Sequence, residues 1–324
     1  MRTRYRKTGV KMSIDVHSHY FPEEYLNLLE KYGSLTPPIA RNMRAGDQEK
    51  EIEGRIALMD QAGVGIQILS ATPQVPYFLN KNHAVTAAKM VNNRYRELVQ
   101  RYPNRFKAFG ILPLPHVQES ILEMNRCLDE LDMVGIAITT TVLEKSLIKS
   151  DLEELFAALD HRKAVLFLHP AGCCTGDQTK ILGLTWMIGA PFEDTYGLLH
   201  LILSGYTLRY PNIRIISTHL GGMMSLILQR LDNLYSLVGT GEIAEKPSTL
   251  AKKIWYDTVA HYHSPALRCA CECFGYDRLL LGTDFPYAAQ NHYIKAIQYI
   301  QEAGLPKEAV DKILKKNAHS LFGI

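Results

Sequence analysis

The chain lacks the features that mark membrane, secreted and nucleic-acid-binding proteins. None of its apolar runs approaches the ~20 residues that a membrane-spanning helix needs. The first residues, MRTRYRKTGVK, are basic but are not followed by the apolar segment of a secretory signal. The 36 basic and 33 acidic residues leave a net charge of +3, too small to favour nucleic acid or an acidic membrane as partner. We expect a cytoplasmic protein that acts on a small molecule, with residues 1–12 a flexible leader and Met12 a possible start.

Cysteine spacing typical of structural zinc sites is also missing. The six cysteines include the adjacent Cys173 and Cys174 and the alternating Cys269, Cys271 and Cys273, but no Cys-x-x-Cys pair. They do not form the framework of a small disulfide-rich fold, so we expect free thiols in a reducing compartment. Cys173 and Cys174 follow His169 closely and are candidates for lining a site there.

What the sequence does have is a regular alternation of short apolar runs with longer segments of helical period. The runs are rich in Val, Ile, Leu and Phe, and they are nearly continuous rather than alternating with polar residues. This pattern is typical of parallel strands that are covered on both faces. The predicted strands are Ser13–His17, Gly65–Ala71, Phe106–Leu112, Gly135–Thr140, Val165–His169, Ile213–His219, Ile254–Val259 and Leu279–Asp284.

Helical segments separate most of these strands. Apolar residues recur at three- and four-residue spacing, and Gly63 and the Tyr-Pro pairs at 102–103 and 210–211 mark helix ends. The predicted helices are Ala84–Arg101, Ser120–Leu131, Asp151–His161, Glu193–Tyr210, Met223–Tyr235, Pro265–Phe274, Tyr293–Ala303 and Pro306–Leu321. Eight strands alternating with helices predict an α/β fold, either an eight-stranded (β/α)8 barrel or a large open sheet, in one domain over residues 1–324. We expect Tyr32–Asp47, which is rich in Pro and Gly, to be a loop over the mouth of the barrel.

The ends of these runs carry a set of metal-capable side chains. His17 and His19 stand two residues apart, so in an extended strand both imidazoles point to the same face. His169, His219 and Asp284 each end another run. The carboxyl ends of barrel strands surround one mouth, whereas in an open sheet these tips would be spread too widely for one ion. The set therefore favours the barrel and a single metal site.

The metal ligands expected from this pattern are His17, His19, His169 and Asp284. Three imidazoles and a carboxylate suit Zn²⁺ best, and Mn²⁺ also fits them. His219 is either a further ligand or a base beside the metal. Each residue alone also has a structural interpretation, because a strand-end histidine can bond the backbone and Asp284 can act as a turn residue or helix cap.

Longer motifs around these residues resemble one family. The segments DVHSHYFP, GRIALMDQAGVGIQILS, LFLHP, TWMIGAPFEDT, STHLGGMMSLILQRLD and LLLGTDFPY are similar to the amidohydrolase superfamily, and within it to the aminocarboxymuconate-semialdehyde decarboxylase-like branch. They run in order from Ile14 to the final helix. The resemblance implies a metal-dependent TIM barrel of the hydrolase type. No lysine ends the run GIAITTT, where two-metal relatives place a bridging carboxylated lysine, so one ion and no organic cofactor are expected.

The resemblance also implies roles for residues outside the ligand set. His219 matches a histidine that contacts metal-bound water or substrate, and Arg55 matches an arginine that holds the substrate carboxylate. Arg230 matches an arginine that reaches into the site of the neighbouring subunit, which implies a homodimer. Trp186 matches an aromatic near the pocket. From the residues alone, Arg55 can equally be a solvated helix residue, and Arg230 can pair with Asp232 at the surface.

The function implied is a non-oxidative decarboxylase of a small aromatic or muconate-type carboxylic acid, such as aminocarboxymuconate semialdehyde, a methylsalicylate or a hydroxybenzoate. Two routes to CO₂ loss stay open at this point: Asp284 delivers a proton to the carbon that carries the carboxylate, or a metal-bound water deprotonated by His219 first adds to the substrate. The alternatives are a hydrolase or hydratase that acts on a lactone, amide or enol acid through metal-bound water, and a barrel without catalytic activity. His261 and His263 end the seventh run and are candidates for substrate contact. The candidates for an apolar slot around a flat ring are Phe21, Tyr77, Phe78, Trp186 and Phe285.

Overall fold

Eight parallel strands form the centre of the molecule. The computed structural model describes residues 13–41, 43–172, 179–287 and 291–324. The strands follow the order β1-β2-β3-β4-β7-β8-β9-β10, and a two-stranded antiparallel pair, β5-β6, lies apart from them. The strands are β1 (Ser13–His19), β2 (Val64–Ser70), β3 (Phe106–Ile111), β4 (Gly135–Thr139), β5 (Thr141–Val142), β6 (Lys145–Ser146), β7 (Val165–His169), β8 (Arg214–Ser217), β9 (Trp255–Asp257) and β10 (Leu279–Leu280).

The sheet closes on itself between its first and last strands. The backbone N–H of Val16 donates to the carbonyl of Leu281 at 2.8 Å, and that of His19 donates to the carbonyl of Phe285 at 2.7 Å. Ser18 and Phe285 form a parallel bridge between the same segments. The predicted (β/α)8 barrel is therefore confirmed.

Helices cover the outside of the barrel, and the strands are buried along almost their whole length. The helices are α1 (Glu23–Lys31), α2 (Pro37–Ala40), α3 (Glu49–Ala62), α4 (Lys81–Arg101), α5 (Val117–Asp129), α6 (Glu153–His161), α7 (Ala190–Leu203), α8 (Tyr206–Arg209), α9 (Met224–Val238), α10 (Pro247–Ala251), α11 (Ser264–Phe274), α12 (Asn291–Glu302), α13 (Lys307–Asp311) and α14 (Asn317–Phe322). Wider π turns occupy Thr185–Gly189 and Lys312–Lys316, before α7 and between α13 and α14. Among the described residues, no helix combines the length and apolarity that crossing a bilayer requires.

Several predicted boundaries are wrong. The predicted helix Glu193–Tyr210 is two helices, because Gly205 adopts a left-handed backbone with φ of 75° between α7 and α8. The predicted loop Tyr32–Asp47 contains the short helix α2, which begins with two prolines at 37 and 38. Helix α1 was not predicted, and α3 was indicated by the helical pattern around Arg55 and by the helix-ending Gly63 but was given no bounds.

Strand ends also differ from the prediction, and the differences matter for the site. Strand β1 continues through His19, so both of its histidines belong to the strand, and its register with β2 shifts between Asp15 and Ser18. Strand β8 ends at Ser217, and His219 lies beyond it in a tight turn with φ of 50°. Asp284 likewise lies beyond β10, with φ of 60°. These uncommon conformations aim two polar side chains across the mouth instead of along their strands.

Candidate metal centre and active site

His17 and His19 meet Asp284 at the mouth of the barrel. Because they are two residues apart on β1, their Nε2 atoms lie side by side, 3.2 Å from each other. Oδ1 of Asp284 lies 3.2 Å from Nε2 of His17 and 3.0 Å from Nε2 of His19. The backbone N–H of Asp284 donates to the carbonyl of His17 at 2.9 Å, which holds the two segments together.

His169 completes the cluster from the end of β7. Its Nδ1–H donates to the carbonyl of Pro170 at 2.8 Å, so Nε2 is the atom turned away from the backbone. This Nε2 is buried and has no hydrogen-bond partner in the described structure. One ligand atom from each of His17, His19, His169 and Asp284 lies within 4.8 Å of the others. A buried nitrogen without a partner, aimed at three other donors, fits a site for a divalent cation.

Asp257 orients one of these histidines and is absent from the sequence prediction. It ends β9, and its Oδ2 accepts a hydrogen bond from Nδ1 of His17 at 2.6 Å. Its Oδ1 accepts the backbone N–H of His219 at 2.9 Å. A carboxylate behind a ligating histidine fixes the ring orientation and raises the basicity of the ligand. The strand-end criterion that found Asp284 would have found Asp257 if the seventh run had been ended at residue 257.

His219 lies beside the four-residue cluster rather than within it. Its Nε2 is 3.7 Å from Oδ2 of Asp284, the second oxygen of that carboxylate. On the other side of the ring, Nδ1 donates to Oδ2 of Asp194 at 2.9 Å. Asp194 is fully buried in α7, and no strand-end signal marks it in the sequence.

Burial and neighbouring charges shift the pKa values of these histidines in different directions. Burial lowers the pKa of His19 to about 4 and takes the pKa of His169 well below its usual value, so both are neutral ligands near neutral pH. Burial also acts against a charge on His17, but the carboxylates of Asp257 and Asp284 prevail and raise its pKa to about 9. A cation bound here competes with that proton, so metal binding is expected to release it.

Asp284 and His219 are shifted toward their charged forms. Burial alone would raise the pKa of Asp284, yet His17 and hydrogen bonds from His17, His19 and His219 hold it well below its usual range. Burial alone would lower the pKa of His219, but Asp194 raises it well above the usual value. The site therefore places an ionised carboxylate next to an imidazole that retains its proton.

A cavity of about 770 Å³ opens above the cluster. His169, His219 and Asp284 form its polar end, and His261 and His263 lie on another part of its wall. Most of the remaining wall is apolar, and no Lys or Arg is among the described residues that line it. Its main apolar residues are Trp186, Met187, Pro191, Leu220, Leu226, Val259, Ala260, Pro265, Ala266 and Tyr287. Among its described lining residues, none comes from 32–47, the segment predicted to lie over the mouth.

Arg55 lies behind the cluster instead of in this cavity. Its Nε donates to Oε1 of Gln67 at 2.6 Å, and its Nη1 donates to the carbonyl of His19 at 2.8 Å. The guanidinium stacks 4.5 Å from the ring centre of Phe285, and the side chain is buried. Arg55 and Phe285 both border a separate cavity of about 570 Å³ between α3 and α12.

The other predicted residues divide between the cavity wall and its surroundings. Trp186 lines the cavity and packs against Gly172. Phe21 stacks on the ring of His19, with ring centres 5.8 Å apart. Tyr77 accepts the backbone N–H of Thr139, and Phe78 packs against Tyr32. Of these four aromatics, Trp186 alone is among the described lining residues of the 770 Å³ cavity.

Arg230 is exposed at the surface, and the described cysteines form no disulfides. Arg230 is exposed on α9, one helical turn beyond the cavity residue Leu226. Asp232, its suggested surface partner, instead accepts hydrogen bonds from the backbone and hydroxyl of Ser248. Cys173 and Cys174 lie outside the described residues. The described cysteines Cys127, Cys269, Cys271 and Cys273 are free thiols, as predicted.

A parallel eight-stranded barrel with a His-x-His strand, a third histidine and an aspartate at its carboxyl mouth defines a metal-centred (β/α)8 barrel of the hydrolase type. The amidohydrolase family profile matches residues 14–324. The chain belongs to the amidohydrolase family, which confirms the resemblance carried by its motifs.

Relatives with named activities match most of the chain. One is the 2-amino-3-carboxymuconate-6-semialdehyde decarboxylase of Dictyostelium discoideum, 28% identical over 297 residues, covering 85% of this chain and 82% of that one. Another is the gamma-resorcylate decarboxylase of Polaromonas sp., 25% identical over 288 residues, covering 83% and 86%. The crystal structure of a dihydroxybenzoic acid decarboxylase from Polaromonas sp., with bound manganese and 2-nitroresorcinol, superposes with a TM-score of 0.82 at 22% identity, covering 96% and 97%.

Proposed function

We propose that this protein is a metal-dependent, non-oxidative decarboxylase of a small aromatic or muconate-type carboxylic acid. The observation that carries the proposal is the cluster of His17, His19, His169 and Asp284, of which His169 and Asp284 line a largely apolar cavity. The named activities of its amidohydrolase relatives support the same reaction class.

The four donors are proposed to hold one divalent cation. Three imidazoles favour zinc, while the related dihydroxybenzoic acid decarboxylase holds manganese. When bound, the cation would act as a Lewis acid that orients and polarises the carboxylic acid substrate. Elemental analysis of the purified protein distinguishes zinc from manganese, and a ratio near one ion per chain is expected.

The cavity suits a flat, apolar acid. Leu220, Val259 and Ala260 form an apolar surface, and an aromatic ring that packs against it is stabilised by leaving water. Trp186 and Tyr287 provide aromatic faces. Among the described lining residues, His169 and Asp284 belong to the proposed ligand set and His219 lies beside them. A substrate can therefore enter with its carboxylate toward the cluster and its ring against the apolar wall.

His219 and Asp284 are placed to deliver the proton that decarboxylation requires. His219 holds a proton at Nε2, which lies 3.7 Å from Oδ2 of Asp284. His219 passes this proton to Asp284, and Asp284 passes it to the substrate carbon that carries the carboxylate. A C–H bond forms at that carbon, the bond to the carboxylate then breaks, and its electron pair restores conjugation as CO₂ leaves. His219 regains a proton from solvent, so one proton is consumed for each CO₂ released.

The proposal is tested by CO₂ release and ultraviolet change across a panel of ortho-hydroxybenzoates and carboxymuconates, run beside a panel of lactones and amides. We expect turnover in the acid panel. Hydrolysis of a lactone or amide, with no CO₂ from any acid by the metal-loaded protein, would establish the hydrolase reading instead. Asp284→Ala and His169→Ala should each abolish turnover while circular dichroism stays unchanged.

We also propose a homodimer in the cytoplasm. Free thiols at all four described cysteines support a reducing compartment. The apolar residues Leu226, Leu237 and Val238 are about three-quarters exposed along α9, the helix that carries Arg230. A second copy seated there would bury them and bring Arg230 close to the site across the interface.

Light scattering tests the dimer, and Arg230→Ala tests the arginine. We expect a dimer mass at micromolar concentration and a KM raised about tenfold or more in the variant, which matches the loss of one charged contact. Gln229→Ala, on the exposed neighbouring residue, is the matched control. A monomer with full activity would refute the proposed arrangement.

A further inference from the structure

The ring of His219 is held from two sides by contacts that orient it. Its backbone has φ of 50°, a conformation uncommon for a residue with a side chain, and its N–H donates to Oδ1 of Asp257 at 2.9 Å. Its Nδ1–H donates to Oδ2 of Asp194 at 2.9 Å. Because the backbone N–H and Nδ1 of His219 are both hydrogen-bonded, the ring edge that carries Nε2 points toward Asp284 and the cavity.

Asp194 is itself fixed, which makes it a reliable anchor. It is fully buried, and its Oδ1 accepts the hydroxyl of Thr218, the residue before His219, at 2.6 Å. The two carboxylate oxygens thus bind consecutive residues of the same turn. A buried carboxylate without such partners would be costly, so these two hydrogen bonds account for its presence in the interior.

The turn after His219 is built to approach α7, where Asp194 lies. Gly222 has φ of 64°, and a Cβ there would lie 2.0 Å from the carbonyl oxygen of Pro191 and 2.6 Å from Oγ1 of Thr195. The backbone N–H of Met223 donates to that same Oγ1 at 2.9 Å. Only a residue without a side chain permits this approach, and the approach is what brings Asp194 within reach of His219.

We infer that Asp194 is the positioning residue of the proton-transfer pair, holding the His219 ring so that Nε2 faces Oδ2 of Asp284 and the bound acid. The inference rests on the proposed decarboxylase function for its kinetic consequence, although the geometry stands without it. Asp194 is not among the described residues that line the cavity, and its carboxylate binds Thr218 and His219, so it reaches the cavity through His219. The arrangement follows the general logic of a carboxylate that orients a catalytic imidazole.

The kinetic test is a double-mutant cycle on the metal-loaded protein. Asp194→Asn keeps the shape of the side chain but removes the charged acceptor. We expect kcat to fall ~100-fold, the upper range for a lost carboxylate behind a functional histidine, with KM and bound metal unchanged. In a His219→Asn background the same change should cost less than about twofold, because the ring that Asp194 orients is gone. Equal losses in both backgrounds would overturn the inference.

A spectroscopic test is independent of turnover. In protein labelled with ¹⁵N-histidine, the proton on Nδ1 of His219 should give a downfield signal protected from exchange, assigned by its absence in His219→Asn. We expect Asp194→Asn to move it upfield or to expose it to exchange. An unchanged signal would overturn the inference.

The matched control is Asp232→Asn. Asp232 also accepts two hydrogen bonds with its carboxylate, from the backbone and hydroxyl of Ser248, but it lies outside the site. It should change neither kcat nor the His219 signal. If the wild-type protein decarboxylates no acid, the proposed function fails while the spectroscopic result still decides the role of Asp194.

Discussion

Asp257 accepts a short hydrogen bond from His17 behind the four-residue cluster, with 2.6 Å between Oδ2 and Nδ1. Both side chains are fully buried. The other oxygen of Asp257 binds the backbone of His219, so one carboxylate connects a proposed ligand with the proposed proton carrier. Asp257 therefore orients both His17, the proposed ligand, and the backbone of His219, the proposed proton carrier.

Replacing Asp257 by Asn should weaken metal binding. The amide cannot pull the proton of Nδ1 as the carboxylate does, so His17 becomes a poorer ligand, and affinity should fall about 10- to 100-fold. Competition with a chromogenic chelator measures the change. Unaltered affinity in a folded Asp257→Asn variant would show that the hydrogen bond does not tune the metal.

Removing the metal should abolish activity and lower stability together. A cation held by the cluster would give the buried Nε2 of His169 a partner and would balance the charge of Asp284, and the unfolded chain would offer no such site. At a free metal concentration about 100 times Kd, this linkage stabilises folding by about 2.7 kcal/mol. Thermal unfolding before and after chelation measures it. Re-addition of zinc or manganese should restore both properties, and full activity of the stripped protein would contradict the metal mechanism.

The substitution Arg55→Met distinguishes a structural role of this arginine from a role in binding the substrate carboxylate. The described contacts of Arg55, with Gln67 and the carbonyl of His19, predict a loss of about 2–3 kcal/mol of unfolding free energy, because buried partners are left without donors. Urea unfolding measures this loss. An arginine that holds the substrate carboxylate would instead raise KM and leave stability nearly unchanged. The two readouts, taken on the same variant, decide between them.

Gly222, in the turn after His219, and Gly241, outside it, both have a positive φ but differ in how closely other atoms approach them. Gly222→Ala places a Cβ against the carbonyl oxygen of Pro191 and should cost about 3 kcal/mol or more, together with most activity. Gly241→Ala also has a positive φ, 81°, but a Cβ there meets nothing within 4 Å, so the expected cost is about 1 kcal/mol with activity retained. Chemical unfolding and turnover of both variants test the difference. Similar costs would mean that backbone conformation alone, and not close approach to α7, requires Gly222.

Much of the fold and the ligand set could be predicted from the sequence, for a physical reason. Parallel strands buried on both faces leave long apolar runs, and a polar residue that ends such a run must face the mouth. This is why His17, His19, His169 and Asp284 could be found without a structure. His17 and His19 were the strongest signal, because the two-residue repeat of a strand fixes their common direction.

The residues around the ligands could not be found in the same way. Asp194 lies within a helix, where a buried carboxylate looks like any other charged residue of the pattern, and its partner is 25 positions away. Arg55 illustrates the opposite difficulty, because its helix was visible but the direction of its side chain was not. The left-handed backbone at His219 and Asp284 depends on tertiary contacts that no local pattern records.

The proposed metal ligands lie on both sides of the junction where the first and last strands of the barrel meet. Strand β10 is two residues long, and the described junction with β1 rests on a few backbone hydrogen bonds from residues 281–285 and the Ser18–Phe285 bridge, rather than on a regular ladder. His17 and His19 lie on one side of this junction and Asp284 on the other. An ion bound by all three would therefore link the first and last strands of the barrel across this junction. Because 265 positions separate His19 from Asp284, the ribosome must add the eighth strand before an ion can be held by both residues.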